Sequence, residues 1–452
     1  MRWDAPAIPL VERPPDAVLF RRPSGPVTAA AFLADAHALA ARLVPARHVL
    51  NLCQDRYAFA VAFAAALLRG QVSLLASDRA GPGGAGPSPD AAYPDTAAVI
   101  DAEAEAPRGL ASVRVAPAPG EAGGQARRAG FAEPPPLLPS DQPAAIVFTS
   151  GSTGVPVAHR KSWGGIATRS MAAGACFGFV PGAPASIVGT VPPQHMYGLE
   201  TTVLLPWHAA VSSWCGPAFF PADVQAALDA VPAPRVLVTT PLQMAALLQA
   251  GVAGRHDVIS ATAPLDPALA GAAEAAWGGA VREIFGATEA GSIAYRRTLA
   301  DAAWRPYPGL SITAADGGAV VAAPHAAPVD LADLIEPAPD GGFRLLGRRA
   351  DIIKRGGRRA SLEGLNRILA AVEGVADGAF VVPEDLDRRS TARLTAVVVA
   401  PGRSAAAILA ELRGRIDPVF LPRRVVHVEA LPRNTLGKLP RAALLALLDA
   451  AR

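Results

Sequence analysis

Ile146-Val-Phe-Thr-Ser-Gly-Ser-Thr-Gly-Val-Pro156 runs an apolar strand straight into six small residues, and the rest of the chain is best read outward from this junction. Thr149, Ser150, Gly151, Ser152, Thr153 and Gly154 offer backbone amides and hydroxyls with nothing bulky beside them, which suits a turn that wraps a phosphate chain. No Gly-Lys-Ser/Thr follows, so this is not a Walker loop. Taken alone, the segment also reads as an ordinary strand-to-turn junction.

Upstream, residues 28–48 and 57–69 are rich in alanine and leucine at helical spacing, and 71–75 reads as a short buried strand. Residues 81–139 shift to Pro, Gly and scattered charge around short apolar pieces at 97–100 and 112–115. Gly81, Gly83 and Gly86 match the GxGxxG spacing, but Pro87-Ser-Pro89 does not open a helix that could hold a pyrophosphate, so the stretch is read as a loop. Downstream, strands at 186–191 and 236–240 alternate with helices at 222–231 and 242–248, the βα rhythm of a mostly parallel sheet. After Gly347 the pattern restarts on a smaller scale, with helices at 362–372 and 405–416 and strands at 378–382, 394–400 and 425–428. The expected fold is therefore α/β: a large N-terminal domain, 1–347, and a small α+β domain, 348–452.

Composition narrows the function classes. A formal net charge of +3 over 452 residues points to neither nucleic acid nor an anionic membrane surface. Cys53, Cys176 and Cys215 form no CxxC pair, which argues against a disulfide framework or structural zinc. Met1-Arg2-Trp3-Asp4 lacks a basic-then-apolar signal pattern, and the longest apolar run, 58–68, falls short of the ~20 residues a membrane span needs. A cytoplasmic protein without membrane insertion is expected.

Three further segments carry candidate chemistry. Glu283-Ile-Phe-Gly-Ala-Thr-Glu289 sets a glycine before a hydroxyl and a carboxylate; beside a phosphate loop, such a carboxylate serves as a hard oxygen ligand for Mg²⁺. Arg348, Arg349, Lys354, Arg355, Arg358 and Arg359 surround Asp351 and Gly356-Gly357. That field fits either anion capture where the expected domains join or a solvated or nucleic-acid-binding surface. Finally, Leu431-Pro-Arg-Asn-Thr-Leu-Gly437-Lys438-Leu-Pro-Arg441 puts one lysine on a turn that can project an ammonium into a cleft, although most isolated loop lysines do nothing of the kind.

In this order and spacing the four segments resemble the ANL superfamily of adenylating enzymes, which includes acyl-CoA and aryl-CoA synthetases, luciferases and peptide-synthetase adenylation domains. The resemblance covers residues 144–445. Thr149 to Gly154 resembles the family's TSGSTG phosphate loop. Phe285-Gly286-Ala287-Thr288-Glu289 resembles YGxTE, which implies Thr288 at phosphate and Glu289 at Mg²⁺. Ser260-Ala261-Thr262-Ala263-Pro-Leu265 resembles the adenine-lining stretch, Asp333 the aspartate that holds the ribose hydroxyls, and Arg348 its supporting arginine. Arg359 and Glu363 fit GxRxxxxE, and Lys438 fits the PxxxxGK lysine. The resemblance implies ATP as co-substrate: a carboxylate attacks the α-phosphorus, pyrophosphate leaves, and the small domain then rotates to withdraw Lys438 and admit a thiol.

The sequence departs from that pattern at Val157, where a lysine usually follows the loop proline, leaving Arg160 or Lys161 to supply the phosphate contact. It also departs at Leu331-Ala332 and at the hinge position Ala350. His195-Met196-Tyr197-Gly198 falls where the family places an acyl-pocket plug, and with Trp207 it suits an aryl or medium-sized acyl acid. Pro156-Val-Ala-His159-Arg-Lys161-Ser-Trp163 is similar to short synthetases of aryl polyene and xanthomonadin-type pathways, which implies loading of an acyl carrier protein, with Arg413, Arg415, Arg423 and Arg424 as candidate contacts. The acceptor is thus a phosphopantetheine thiol or free CoA. An acid:CoA ligase and a non-catalytic nucleotide-binding homologue remain as alternatives.

Overall fold

The computed structural model describes residues 4–75, 92–105, 107–115, 134–150, 156–348, 351–355, 358–383, 393–433, 439 and 441–450. The loop glycines Gly81, Gly83 and Gly86 and the hinge position Ala350 lie outside these residues. The chain divides into two compact units, the first made of Met1–Ala261, Pro267–Ile312 and Val321–Val329 and the second of Thr262–Asp266, Thr313–Val320 and Asp330–Arg452.

Two sheets build the first unit. In the six-stranded sheet Pro143–Ser150 lies beside Val72–Leu75, His48–Asn51, Thr96–Ile100 and Ser112–Arg114, each pair parallel, while Pro156–Ser162 closes the near edge antiparallel. The nine-stranded sheet has a parallel centre running from Gly278–Ala287 through His256–Ser260, Arg235–Thr239, Ala185–Gly189 and Val211–Trp214 to Val18–Arg22. Antiparallel strands flank it at both ends. The helix Arg56–Leu68 is alanine interleaved with Phe59, Val61 and Phe63 and has no polar stripe after its first residue, so it is buried all round. Asp55 caps it by accepting from the Ala58 amide at 2.7 Å, and Gly70 at φ +66° follows its C-cap. Phe32, Phe63, Trp163 and Trp207 stack into one aromatic core, with ring centroids 5.2–6.4 Å apart.

The helical reading of 28–48 overran: the helix is Ala29–Ala40, Pro45 lies in the connection, and a strand begins at His48. Trp207, grouped above with the acyl pocket, is fully buried in the aromatic core instead.

The second unit pairs Asp333–Pro337 with Phe343–Arg348 and Ile352–Arg355 with Arg358–Ser361 as two hairpins. A three-stranded sheet, Asp377–Val381, Thr395–Val399 and Arg424–His427, packs with helices Leu362–Ala370 and Ala405–Arg413 around Leu365, Leu369, Phe380, Ile408 and Phe420. Among the described residues no helix is long and apolar enough to cross a membrane.

Candidate active site

The small-residue loop joins the two strands of an antiparallel hairpin. Thr149 opposes Val157 and Ser150 opposes Pro156, so the loop leaves the C-terminal end of a strand that is parallel to its other neighbour. That edge of an α/β sheet is where ligands gather. Gly151, Ser152, Thr153 and Gly154 lie outside the described residues, as do the side chains of Thr149 and Ser150.

Along the nine-stranded sheet, Ser260 pairs with Glu283, and the chain continues past both: into Ala261-Thr262-Ala263 on one side and into Phe285-Gly286-Ala287 on the other. Ala261 is buried, while Thr262 adopts φ +81°, a conformation a β-branched residue rarely accepts. Gly286 is required by its neighbours, because a Cβ there would stand 2.6 Å from the carbonyl oxygen of Gly291. Phe285 packs on Trp304, their rings 5.7 Å apart. Thr288 and Glu289, both half-buried, are the central residues of a turn closed by the Ala290 amide donating to Ala287 at 3.0 Å.

Three buried charges hold this turn and the strand after it, and residue types alone did not disclose them. Lys161, on the strand leaving the phosphate loop, donates through Nζ to the carbonyl of Glu289 at 2.6 Å. Glu200 accepts from the Ser292 amide at 3.1 Å and from the Ser292 hydroxyl. Arg169 donates through Nε to the Ser292 carbonyl at 3.2 Å. Burial, with Arg169 adding repulsion, lowers the Lys161 ammonium to about 8, against the pull of Glu200 and Glu289. Burial likewise raises the Glu200 carboxyl, opposed by Ser292 and Arg169. On the same strand face as Lys161, burial lowers His159, with Glu289 pulling the other way. Arg160 points to the opposite face and is exposed.

His195 caps the short helix Met196–Gly198, which runs into a π-helical turn, Leu199–Leu204. A fully buried arginine, Arg56, ties down the chain ahead of it, donating to the carbonyls of Gly189 at 2.8 Å and Val191 at 3.1 Å. Gly198 has no room for a side chain, since its Cβ would meet the Pro192 oxygen at 2.0 Å. Tyr197 Oη reaches the carbonyls of Thr239 and Ile259 at 3.1 and 2.8 Å, tying the ends of neighbouring strands together. Met196 and Tyr197 enter different core clusters, so the four residues form a fixed, buried segment rather than one face.

In the second unit, Asp333 and Arg348 are register partners, with Nε 3.3 Å from Oδ1. The aspartate is largely shielded and the guanidinium exposed. Burial raises the nearby Asp351 carboxyl, Arg348 pulling it down and Asp333 pushing it up. Arg358 pairs with Asp417 at 3.7 Å and Glu363 with Arg367 at 3.2 Å. Lys438, Arg349 and the side chains of Lys354 and Arg359 lie outside the described residues.

The residues fit Mg²⁺ as the accompanying ion. Among the described residues no three His, Cys, Asp or Glu cluster as a closed metal cage, whereas one half-buried carboxylate beside a phosphate loop matches an ion that keeps water and phosphate as most of its ligands.

A phosphate-loop hairpin, an acidic turn after a long strand and an aspartate–arginine pair on a second, smaller unit define an adenylate-forming acid ligase. The chain matches the AMP-binding enzyme family over residues 10–316 and belongs to it. It is 30% identical over 305 residues to the 4-coumarate–CoA ligase of Rhodobacter capsulatus, covering 66% of this chain and 75% of that one. Over 124 residues it is 32% identical to the medium/long-chain-fatty-acid–[acyl-carrier-protein] ligase FadD10 of Mycobacterium tuberculosis, covering 26% of this chain and 23% of FadD10. Its fold is that of ATP-bound MatB from Rhodopseudomonas palustris, with a TM-score of 0.78, 22% identity and 98% of each chain covered.

Proposed function

We propose that this enzyme condenses an aryl or acyl carboxylic acid with ATP to give an acyl-adenylate and pyrophosphate, then passes the acyl group to the phosphopantetheine thiol of an acyl carrier protein. The observation that carries the first step is the Lys161–Glu289 contact, which joins the strand leaving the phosphate loop to the Thr288–Glu289 turn. The substrate carboxylate attacks the α-phosphorus in line as the bond to pyrophosphate breaks. Thr149 to Gly154 and Thr288 donate to phosphate, Phe285 and Ala261 to Ala263 flank the adenine, and Asp333, supported by Arg348, accepts from the ribose hydroxyls. Lys438 neutralises the charge that develops on the α-phosphate. Mg²⁺ bound at Glu289 would neutralise the phosphate oxygens. Residues 1–347 serve as the adenylation domain and 348–452, with Arg359 and Lys438, as the domain that moves between the two half-reactions.

For the acceptor, the second unit offers an exposed groove with Arg393 and Arg423 beside Pro418, Leu421 and Pro422, which suits the acidic surface of a carrier protein. Arg424 is exposed nearby, whereas Arg415 is occupied by Glu411 at 2.6 Å. The longer match to a CoA ligase favours free CoA as the second reading. Benzoates, cinnamates and fatty acids in a pyrophosphate-release assay test adenylation, with Lys438→Ala as control. Acid-dependent release should appear and collapse by about 100-fold in that variant; no release with any acid defeats the proposal. Thioester formed on CoA alone eliminates the carrier reading.

A further inference from the structure

We propose that Lys161 is a positioning residue that locks the Thr288–Glu289 turn to the strand leaving the phosphate loop, so that loop and acidic turn keep one fixed separation. This rests on the reading of Glu289 as the carboxylate that serves metal-bound nucleotide.

Residues 157, 159 and 161 share one face of a regularly paired strand, because the register of Pro156–Ser162 against Pro143–Ser150 shifts only after Lys161. Val157, nearest the loop, is exposed and apolar, while the lysine stands four residues further along, about 13 Å at strand rise. Its ammonium is therefore spent at the far end of the strand, on a main-chain oxygen of the acidic turn 128 residues away in sequence. It is not placed as a phosphate ligand.

Burying a lysine to 9% exposure is poor economy if packing is the only purpose, since an apolar side chain of the same length fills the space without desolvating a charge. The site supplies only partial compensation. Glu200 is shared with Arg169, whose guanidinium repels Lys161, and the Glu289 carboxylate is half-exposed. What the ammonium alone provides is direction: a donor held on the Glu289 carbonyl, next to the residue whose side chain has to face the ligand. The strand beyond the turn is already fixed by Glu200 and Arg169 on Ser292, so Lys161 sets the turn itself.

The test compares Lys161→Met, Glu289→Gln and the parent by calorimetric titration with Mg–ATP and, separately, with AMP in EDTA, alongside thermal melting. Lys161→Met should bind Mg–ATP about ten-fold more weakly, as loss of a partner behind a metal ligand typically does, while AMP affinity holds and the melting temperature moves by no more than a few degrees. Equal loss for both ligands, loss that follows the melting temperature, or unchanged Mg–ATP binding overturns the proposal. Should the single variant fail to fold, Lys161→Met with Glu200→Gln removes the carboxylate left uncompensated, and the same contrast applies. If Glu289→Gln leaves Mg–ATP affinity intact while Lys161→Met weakens it selectively, the anchoring stands and the metal role of Glu289 falls.

Discussion

Replacing Asp333 with alanine separates nucleotide recognition from stability. The carboxylate's only printed ion pair is with Arg348, at 3.3 Å, and that guanidinium is 58% exposed, so the pair contributes no more than about 1 kcal/mol to folding. Arg348 is moreover not stranded by the change, because it already attracts Asp351, whose carboxyl loses a repelling neighbour when Asp333 goes. The melting temperature should therefore fall by only a few degrees. Binding is different. Two ribose hydroxyls donating to a charged acceptor contribute about 1.5 kcal/mol each at the low end, about 3 kcal/mol together, which corresponds to roughly 100-fold in affinity. Titration of AMP into parent and variant measures this directly, and the KM for ATP should rise in step. Affinity within three-fold of the parent, or a loss no larger than the change in melting predicts, would refute the placing of the ribose at Asp333.

Three further outcomes follow from the geometry. Thr262→Gly relieves a φ of +81° and should raise stability by about 1 kcal/mol while weakening AMP binding; a destabilised variant would show that the strained backbone is not the controlling feature. Gly198→Ala drives a methyl against the Pro192 carbonyl, so acid turnover should fall with a stability loss of about 1–3 kcal/mol, read by urea titration. His208 and His256 are held by burial at about 4, well below their ordinary 6.5, so the unfolded chain takes up protons first as pH falls. Stability is then flat above about pH 6.5 and declines between there and 4, by about 1.4 kcal/mol per pH unit for each ring at most. A urea midpoint constant from pH 6.5 to 4.5 would contradict that.

Much of the architecture could be read from residue order. The helices Leu362–Ala370 and Ala405–Arg413 and the strands Asp377–Val381 and Thr395–Val399 lie within a few residues of expectation, because apolar periodicity there agrees with burial. The strand Pro156–Ser162 was not read as one: Val157 faces solvent and Lys161 is buried, the reverse of what hydropathy suggests. The same inversion hid Arg56, Arg169 and Glu200, since a buried charge is recognisable only once its long-range partner is placed beside it. Asp333 and Arg348 were paired in advance by resemblance and are brought together by the hairpin register.

The π-helical turn Leu199–Leu204 leaves a record of length as well as of shape. A π turn holds one residue more than an α turn, so shortening this segment by one would restore regular winding and rotate everything after it by about 100°. Trp207 would leave the aromatic core and His208 its place beside Trp163. Point changes along Leu199–Leu204 are therefore a milder perturbation than a one-residue deletion, and sequence drift here is confined to substitutions at constant length.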